Sequence, residues 1–389
     1  MRDNEIPLRV AYFAHDWGDS AIKRRVAGFE RDGLEVYGFA SYRMDPEPPD
    51  WIVVNLGRTF DNGYAHRAGS IIRGARKAQN PSLSDADVIV ARNLDMLLTA
   101  ALARRRAGLG TPLVYECLDI HRLVARRDPI GGAFRLLERN ALHQCSAVWV
   151  SSPAFQSEHF EKHYPDVKGV QLLENRLQTA LGQRCTRFRN NERKLRIGWF
   201  GNLRCARSLE LMCSVAERFR TQVEISLRGY PATAKLPDFQ RIVDAHANIE
   251  FGGRYAWPDE LEAIYDSVDL VWAGDFMDAS LNSDWLLPNR LYEGGWFGCP
   301  PAAPKSSQTG KWIAGHGAGF VLEEPMEQTL PALVDTLLND PAPLVAARTR
   351  LLDLPRDVFV EPVGTLRIAV VSALDRGLSG RQDGSAHRL

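Results

Sequence analysis

Short apolar runs recur along the first half of the chain: LRVAYFA (8–14), LEVYGFA (34–40), WIVVNLG (51–57), DVIVAR (87–92), PLVYECL (112–118) and AVWVSS (147–152). Their apolar residues fall on successive positions, which is what strands of a parallel sheet need when helices cover both faces. Between them the period lengthens to that of a helix in SAIKRRVAGFERDG (20–33), LDMLLTAALARRRAG (94–108) and IGGAFRLLERNALHQC (130–145). Gly33 and Gly108 stand where a helix C-terminus favours a left-handed residue. Strand and helix in alternation predict a doubly wound α/β unit.

The alternation stops at QTALGQRCTRFRNNERK (178–194), which is polar, basic and aperiodic, and reads as a linker. It resumes with LRIGWFG (195–201), VEISLRGY (223–230), NIEFGG (248–253) and DLVWAG (269–274), separated by the helical stretches 206–219 and 258–268. The chain therefore reads as two Rossmann-like domains, 1–185 and 186–355. A helical segment over 356–379 then crosses back to the first domain, and the terminal SGRQDGSAHRL is expected to fray. At 389 residues the chain exceeds what one core usually spans.

Composition narrows the classes. Apolar residues make up 45% and charged residues 25%, a globular mix, and the formal net charge of zero gives no argument for nucleic acid. The charge is uneven: residues 1–190 hold 27 Lys and Arg against 22 Asp and Glu, and the remainder reverses the excess. A basic first half suits a phosphate-bearing or lipid surface. The six cysteines (117, 145, 185, 205, 213 and 299) form no C-x-x-C pair, so a zinc site is not expected and scattered reduced thiols are. The start MRDNEIPLRV is unlike a signal peptide, and no apolar run reaches the roughly 18 residues of a membrane helix. The expectation is a cytoplasmic protein, with any membrane contact peripheral on the inner face.

Ligands of doubly wound sheets sit beyond the carboxyl ends of the strands, so the residues there carry the candidate chemistry. GWFGNLRCARSLE (198–210) reads as a strand, a Gly201–Asn202 turn and a helix N-terminus. Its amides offer an anion site that Arg204 and Arg207 reinforce against a diphosphate. SLRGYPA (226–232) brings Gly229 to a strand end, with Tyr230 beside it to stack on a base. In LLPNRLYEGGWFGCPPAA (286–303), Pro288 or Asn289 starts a helix and Glu293 falls on its first turn, where a carboxylate accepts both hydroxyls of a ribose. Gly294, Gly295 and Gly298 keep that helix slim for close approach of a ligand, and Pro300 and Pro301 drive the chain into the next strand. Lys305, Ser307 and Gln308 follow near the same spot. On the residues alone, surface arginines and a capping or salt-bridging Glu293 stay open as alternatives.

The series RIGWFGNL, ISLRGY, PNRLYEGGWFGCPPAAP and GKWIAGHGAGFVLEEP resembles the nucleotide-sugar half of GT-B glycosyltransferases of the family 4 type. In that family a P-x-K/R-L-Y-E-x-x-x-x-G-x-P motif closes over the donor, with its Glu on the ribose. That position is Glu293 here, and the same motif takes in Asn289, Arg290 and Tyr292. The first half resembles the family more loosely, through DVIVARNLDMLL, LVYECLDIHRL, AVWVSSPAF and LLENRL. The likeness spans nearly the whole chain, and residues 288–301 carry its specific part. It implies two Rossmann-like domains facing across a cleft, the first for the acceptor and the second for an NDP-sugar, UDP-linked before others. It further implies a glycan or polyprenyl-diphosphate-linked acceptor in surface polysaccharide assembly, with no cofactor and no essential metal.

The chain departs from the family where a second Glu is usual, eight residues before Glu293: Trp285 stands there, beside Asp284. It departs again at Leu118, where a His commonly precedes Asp119. Both changes favour an inverting transfer with a carboxylate base after a first-domain strand. His15, Asp16, Asp95, Glu116 and Asp119 follow such strands; Asp119 is assigned as base, Asp16 as its alternate, and Glu116 is equally suited to burial. His15, Trp17, Gly18, Asn93 and His121 are assigned to the acceptor. Lys23, Arg24 and Arg25 read as a solvated helix face. Alternatively they join Arg67, Arg73, Arg76, Lys77, Arg104, Arg105 and Arg106 in a surface for anionic lipid. Two rivals share the resemblance: an NDP-sugar epimerase, and a nucleotide-binding partner subunit without turnover.

Overall fold

The protein is described by a computed structural model that covers residues 7–43, 47–59, 64–179, 181–182, 184 and 194–386. The chain separates into one unit of residues 1–178 with 362–389, and a second of residues 179–361. In the first unit the strands are β1 (Arg9–Ala14), β2 (Glu35–Tyr42), β3 (Val53–Arg58), β4 (Val88–Arg92), β5 (Leu113–Cys117), β6 (Ala147–Val150) and β7 (Val170–Leu172). They form a parallel sheet in the order β3-β2-β1-β4-β5-β6-β7. Every residue of β4, β5 and β6 is buried, the state that their successive apolar positions foretell.

The last helix, Thr365–Ala386, belongs to this unit. Leu366, Val370 and Ala373 enter the core beside Tyr12, Phe29 and Trp149. The Asp32 carboxylate accepts the Leu366 amide at 2.8 Å and so caps the helix start. Gly28 makes room: a Cβ there would lie 2.7 Å from Leu366 Cδ1. The expected fraying from residue 379 is corrected as far as Ala386, because a helix nucleated on a packed face propagates cheaply. Residues 387–389 lie outside the described residues.

The second unit repeats the plan with β8 (Leu195–Leu203), β9 (Val223–Pro231), β10 (Ile249–Phe251), β11 (Leu270–Trp272), β12 (Pro301–Pro304) and β13 (Phe320–Leu322). Its parallel order is β10-β9-β8-β11-β12-β13. The order reverses between β1 and β4 in one sheet and between β8 and β11 in the other, the positions where such sheets open a crevice. Trp199, Met212 and Trp272 anchor the second core, and Trp272 satisfies its indole N–H on Ser208 Oγ at 3.0 Å. Arg184 donates to the carbonyls of Trp296 (3.1 Å) and Leu351 (2.8 Å), with its guanidinium 5.1 Å from the Trp296 ring centre. Of the stretch read as a linker, residues 180, 183 and 185–193, including Cys185, lie outside the described residues. Among the described residues no helix is long and apolar enough to cross a membrane.

Candidate functional site

The carboxyl ends of β8, β9 and β11 meet at the reversal of the second sheet. Here β8 does not turn at Gly201. It continues to Leu203, pairing Gly201 with Gly229, Asn202 with Tyr230 and Leu203 with Pro231. The expected Gly201–Asn202 turn is thus corrected to strand. Both glycines have positive φ, +103° and +130°, and a Cβ on Gly229 would lie 1.9 Å from the Gly201 carbonyl oxygen. A Cβ on Gly201 would meet nothing within 4 Å, so this backbone borders open space.

Arg204 follows this strand and donates from Nε (3.2 Å) and Nη2 (3.1 Å) to Asp275 Oδ2. Asp275 also accepts the Met277 amide at 2.8 Å and Ser283 Oγ at 3.2 Å. Burial works against its charge, yet Arg204 and the Met277 amide hold its carboxyl below the usual range. The sequence reading did not single out Asp275, although the rule of looking just past each strand leads to it. Arg207 lies elsewhere than expected. It pairs with Glu324 (2.7 Å) and Glu327 (3.0 Å) and covers Phe276, so two carboxylates of the unit itself, brought near by the fold, occupy its guanidinium.

The helix of the P-x-K/R-L-Y-E motif spans Asn289–Trp296, with Pro288 as its N-cap. Glu293 is therefore on the second turn, not the first as expected, because the helix starts at Asn289. It is 3% exposed and accepts the Tyr265 hydroxyl at 3.2 Å. Arg290 lies across the reversal point: it donates to the Phe200 carbonyl of β8 (3.3 Å) and to the Gly274 carbonyl after β11 (3.2 Å). Burial lowers the pKa of its guanidinium, and Asp275 opposes that effect. Tyr292 is fully buried, so its expected donor contact is corrected to a place in the core.

The glycines of this helix and of the turn that ends it serve a different end from the one expected. A Cβ on Gly295 would lie 2.2 Å from Phe359, one on Gly298 2.9 Å from Leu352, and one on Gly294 3.0 Å from Tyr265. The slim helix makes room for the protein's own side chains. Lys305 pairs with Glu323 on the surface at 2.5 Å. Ser307 is buried and caps the helix Gln308–His316, accepting the Gly310 amide at 3.0 Å. Gln308 is the first residue of that helix, and Asn289 the first of its own. Tyr230 is exposed, with Arg254 packed 4.7 Å from its ring centre.

In the first unit, Asp119 is exposed two residues beyond β5. Asn93 ties the end of β4 to this segment: its amide donates to the Glu116 carbonyl (2.9 Å) and its Oδ1 accepts the Leu118 amide (3.3 Å). It does so at φ +67°, an uncommon conformation for a residue with a side chain and one often found near functional sites. His121 caps the next helical turn through Nδ1 (3.3 Å) and stacks on Phe134.

The other base candidates have different duties. Glu116 is buried under Arg25 (2.7 Å), Arg92 (2.9 Å) and the Tyr12 hydroxyl (2.9 Å). Burial opposes its ionisation, but Arg92 and Arg25 pull its pKa down to about 2. Asp16 accepts the Gly18 amide at 3.1 Å and holds a turn. Trp17, expected at the acceptor, is 2% exposed and stacks on Tyr42: this is a correction, its large ring being worth more in the core. His15 lies 3.6 Å from Asp19, and burial lowers its pKa while Asp19 opposes the shift. Arg24 and Arg25 are 0% and 1% exposed, so the charge run 23–25 is no solvated or lipid-facing surface at those two positions. Arg104 and Arg106 donate to the carbonyls of Thr111 (3.0 Å) and Ile72 (3.4 Å), and the Arg67 side chain lies outside the described residues.

No family model matches the chain. Its sequence is 35% identical over 346 residues, 85% of either protein, to the succinoglycan biosynthesis protein ExoL of Rhizobium meliloti (strain 1021). Its fold is similar to that of Anabaena Alr3699/HepE in complex with UDP and glucose, with a TM-score of 0.64 at 15% identity over 97% of this chain and 99% of that one. It is likewise similar to sucrose-phosphate synthase from Thermosynechococcus elongatus, with a TM-score of 0.68 at 13% identity over 97% and 100% of the two chains.

Proposed function

The chain belongs to the GT-B glycosyltransferases, in the family of the succinoglycan biosynthesis protein ExoL, and on that premise we propose that it moves a sugar from an NDP-sugar, UDP-linked before others, to a hydroxyl of a glycan or lipid-linked glycan in surface polysaccharide assembly. The observation that carries this reading is the set of residues gathered at the β8/β11 reversal. There the Gly201–Gly229 ladder borders open space, beside the Arg204–Asp275 pair and the helix that holds Arg290 and Glu293. HepE, of similar fold, holds UDP and glucose in its own structure.

In this reading the glycine backbone lets the diphosphate approach β8, and Arg204 meets its charge while staying bound to Asp275. Glu293, which also accepts the Tyr265 hydroxyl, accepts ribose hydroxyls. Asp119 takes the proton of the acceptor hydroxyl as that oxygen attacks the anomeric carbon. The bond from this carbon to the diphosphate oxygen breaks, its electron pair leaves on the nucleoside diphosphate, and the anomeric centre inverts. Neither a metal nor a cofactor is assigned a part.

The test is a panel of UDP-, GDP- and dTDP-sugars against the purified chain. A rise in melting temperature identifies the donor, and NMR of the product reads the anomer. The reading expects a UDP-sugar to stabilise the protein and the product to be inverted. Conversion of the donor without an acceptor selects an epimerase instead, and binding without transfer selects a non-catalytic subunit.

A further inference from the structure

Arg204 is the first residue past β8 and Asp275 the third past β11, so their ion pair joins the carboxyl ends of adjacent strands. The Asp275 side chain is 11% exposed. Its Oδ2 accepts both Nε and Nη2 of Arg204, a single edge of the guanidinium. Its Oδ1 accepts the Met277 amide and the Ser283 hydroxyl. Ser283 Oγ in turn accepts the Asp278 amide at 2.8 Å, so one hydroxyl closes the segment 275–283 on the carboxylate. From the other side Arg290 donates to the carbonyls of Ala273 (3.4 Å) and Gly274 (3.2 Å), which lead into Asp275.

A carboxylate in this place is at odds with charge alone. The donor reading brings a diphosphate to Arg204, and Asp275 repels it. Burial also opposes the ionisation of Asp275, while Arg204, the Met277 amide and Arg290 favour it, and the charge is kept. What the carboxylate supplies in return is direction. An arginine side chain has many rotamers, and a donor fixed in advance loses less freedom when its ligand binds. Asp275 is itself fixed, because the Met277 amide and Ser283 hold the oxygen that Arg204 does not use.

We propose that Asp275 is a positioning residue: it turns Arg204 toward the donor diphosphate and, through Ser283, ties that orientation to the segment 275–283. The inference rests on the donor reading above. The experiment titrates UDP by calorimetry, and uridine by ligand-observed NMR, into the full chain, Asp275→Asn, Arg204→Ala and the double variant. By charge alone, Asp275→Asn removes a repelling group and tightens UDP. Positioning predicts the opposite sign: UDP affinity falls at least tenfold, and uridine, which carries no phosphate, stays within twofold. In the Arg204→Ala background the same change costs UDP no more than twofold, because Asp275 acts through Arg204. Tighter or unchanged UDP binding overturns the proposal. So does a loss shared by uridine, or one repeated in full without Arg204, either of which makes Asp275 structural. Should Asp275→Asn fail to fold, Ser283→Ala decides, since it leaves the ion pair in place. A loss of threefold or more confined to UDP supports the role, and unchanged UDP affinity overturns it. A parent chain that binds no UDP overturns the donor reading and this proposal together. A parent that binds UDP beside an unaffected Asp275→Asn overturns this proposal alone.

Discussion

Gly229 faces the carbonyl of Gly201 so closely that a Cβ on the former would sit 1.9 Å from the latter's oxygen. The pair lies on the ladder that carries β8 to its carboxyl end. Gly229→Ala adds both this clash and the strain of a side chain at φ +130°, the strain alone costing about 1–3 kcal/mol. A lower melting temperature and lost nucleotide binding are expected together. Gly132→Ala is the control: it lies within the helix Pro129–Leu142, its Cβ would meet nothing within 4 Å, and it should leave both measurements near the parent values. A Gly229→Ala protein that binds nucleotide normally would remove this ladder from the donor site.

Glu293 and Tyr265 separate binding from packing. Glu293→Gln keeps the shape and a partner for the Tyr265 hydroxyl, but it loses the charge that strengthens hydrogen bonds to ribose. Nucleotide affinity should fall by about 1.5–3 kcal/mol in calorimetry, with a smaller change in stability. Tyr265→Phe should do the reverse, costing about 1 kcal/mol of stability and sparing affinity. Equal loss of affinity in the two variants would make Glu293 a member of the core alone.

These sites also mark where a sequence stops being legible. The strands of both units follow from consecutive apolar residues, because covering helices impose that pattern locally. Arg24 and Arg25 read as a solvated run because the carboxylate that pairs with Arg25 is Glu116 of β5, distant in the chain. Gly201 looked like a turn because its reason, Gly229, is visible only in the strand register. Gly294 and Gly295 are explained by Tyr265 and Phe359, distant in the chain, and no local rule names such neighbours. β7 and β13 are edge strands whose residues are only partly buried, so no run of buried apolar positions marks them. Asp275 was within reach, since it follows β11 as Asp119 follows β5.

Asp119 is tested by Asp119→Asn. Asn keeps the shape of an exposed group and cannot take a proton, so transfer should slow by roughly a hundred- to ten-thousand-fold. Nucleotide affinity should not move, because the donor contacts are assigned to the other unit. The pair of measurements is kcat for transfer and the dissociation constant for UDP. Retained activity would hand the proton to another base or to a mechanism without one. A matching loss of UDP affinity would make Asp119 structural.

The buried Glu116 predicts acid sensitivity of a definite sign. Its pKa in the folded protein is about 2 against an ordinary 4.5, so the folded state favours the charged form. The resulting stability is fully present above pH 4.5 and drains away as pH falls toward 2, about 3 kcal/mol in all. Glu116→Gln removes the carboxylate that Arg25 and Arg92 both bond in the core and should cost about 3–5 kcal/mol at neutral pH. Below pH 4.5 the unfolded parent takes up a proton that the folded one resists until about pH 2, so the difference between the two proteins should shrink steadily toward pH 2. Denaturant midpoints across that window give the comparison. A difference that stays constant with pH would mean that Glu116 carries no charge in the folded protein, and the two arginines would then need another counter-ion.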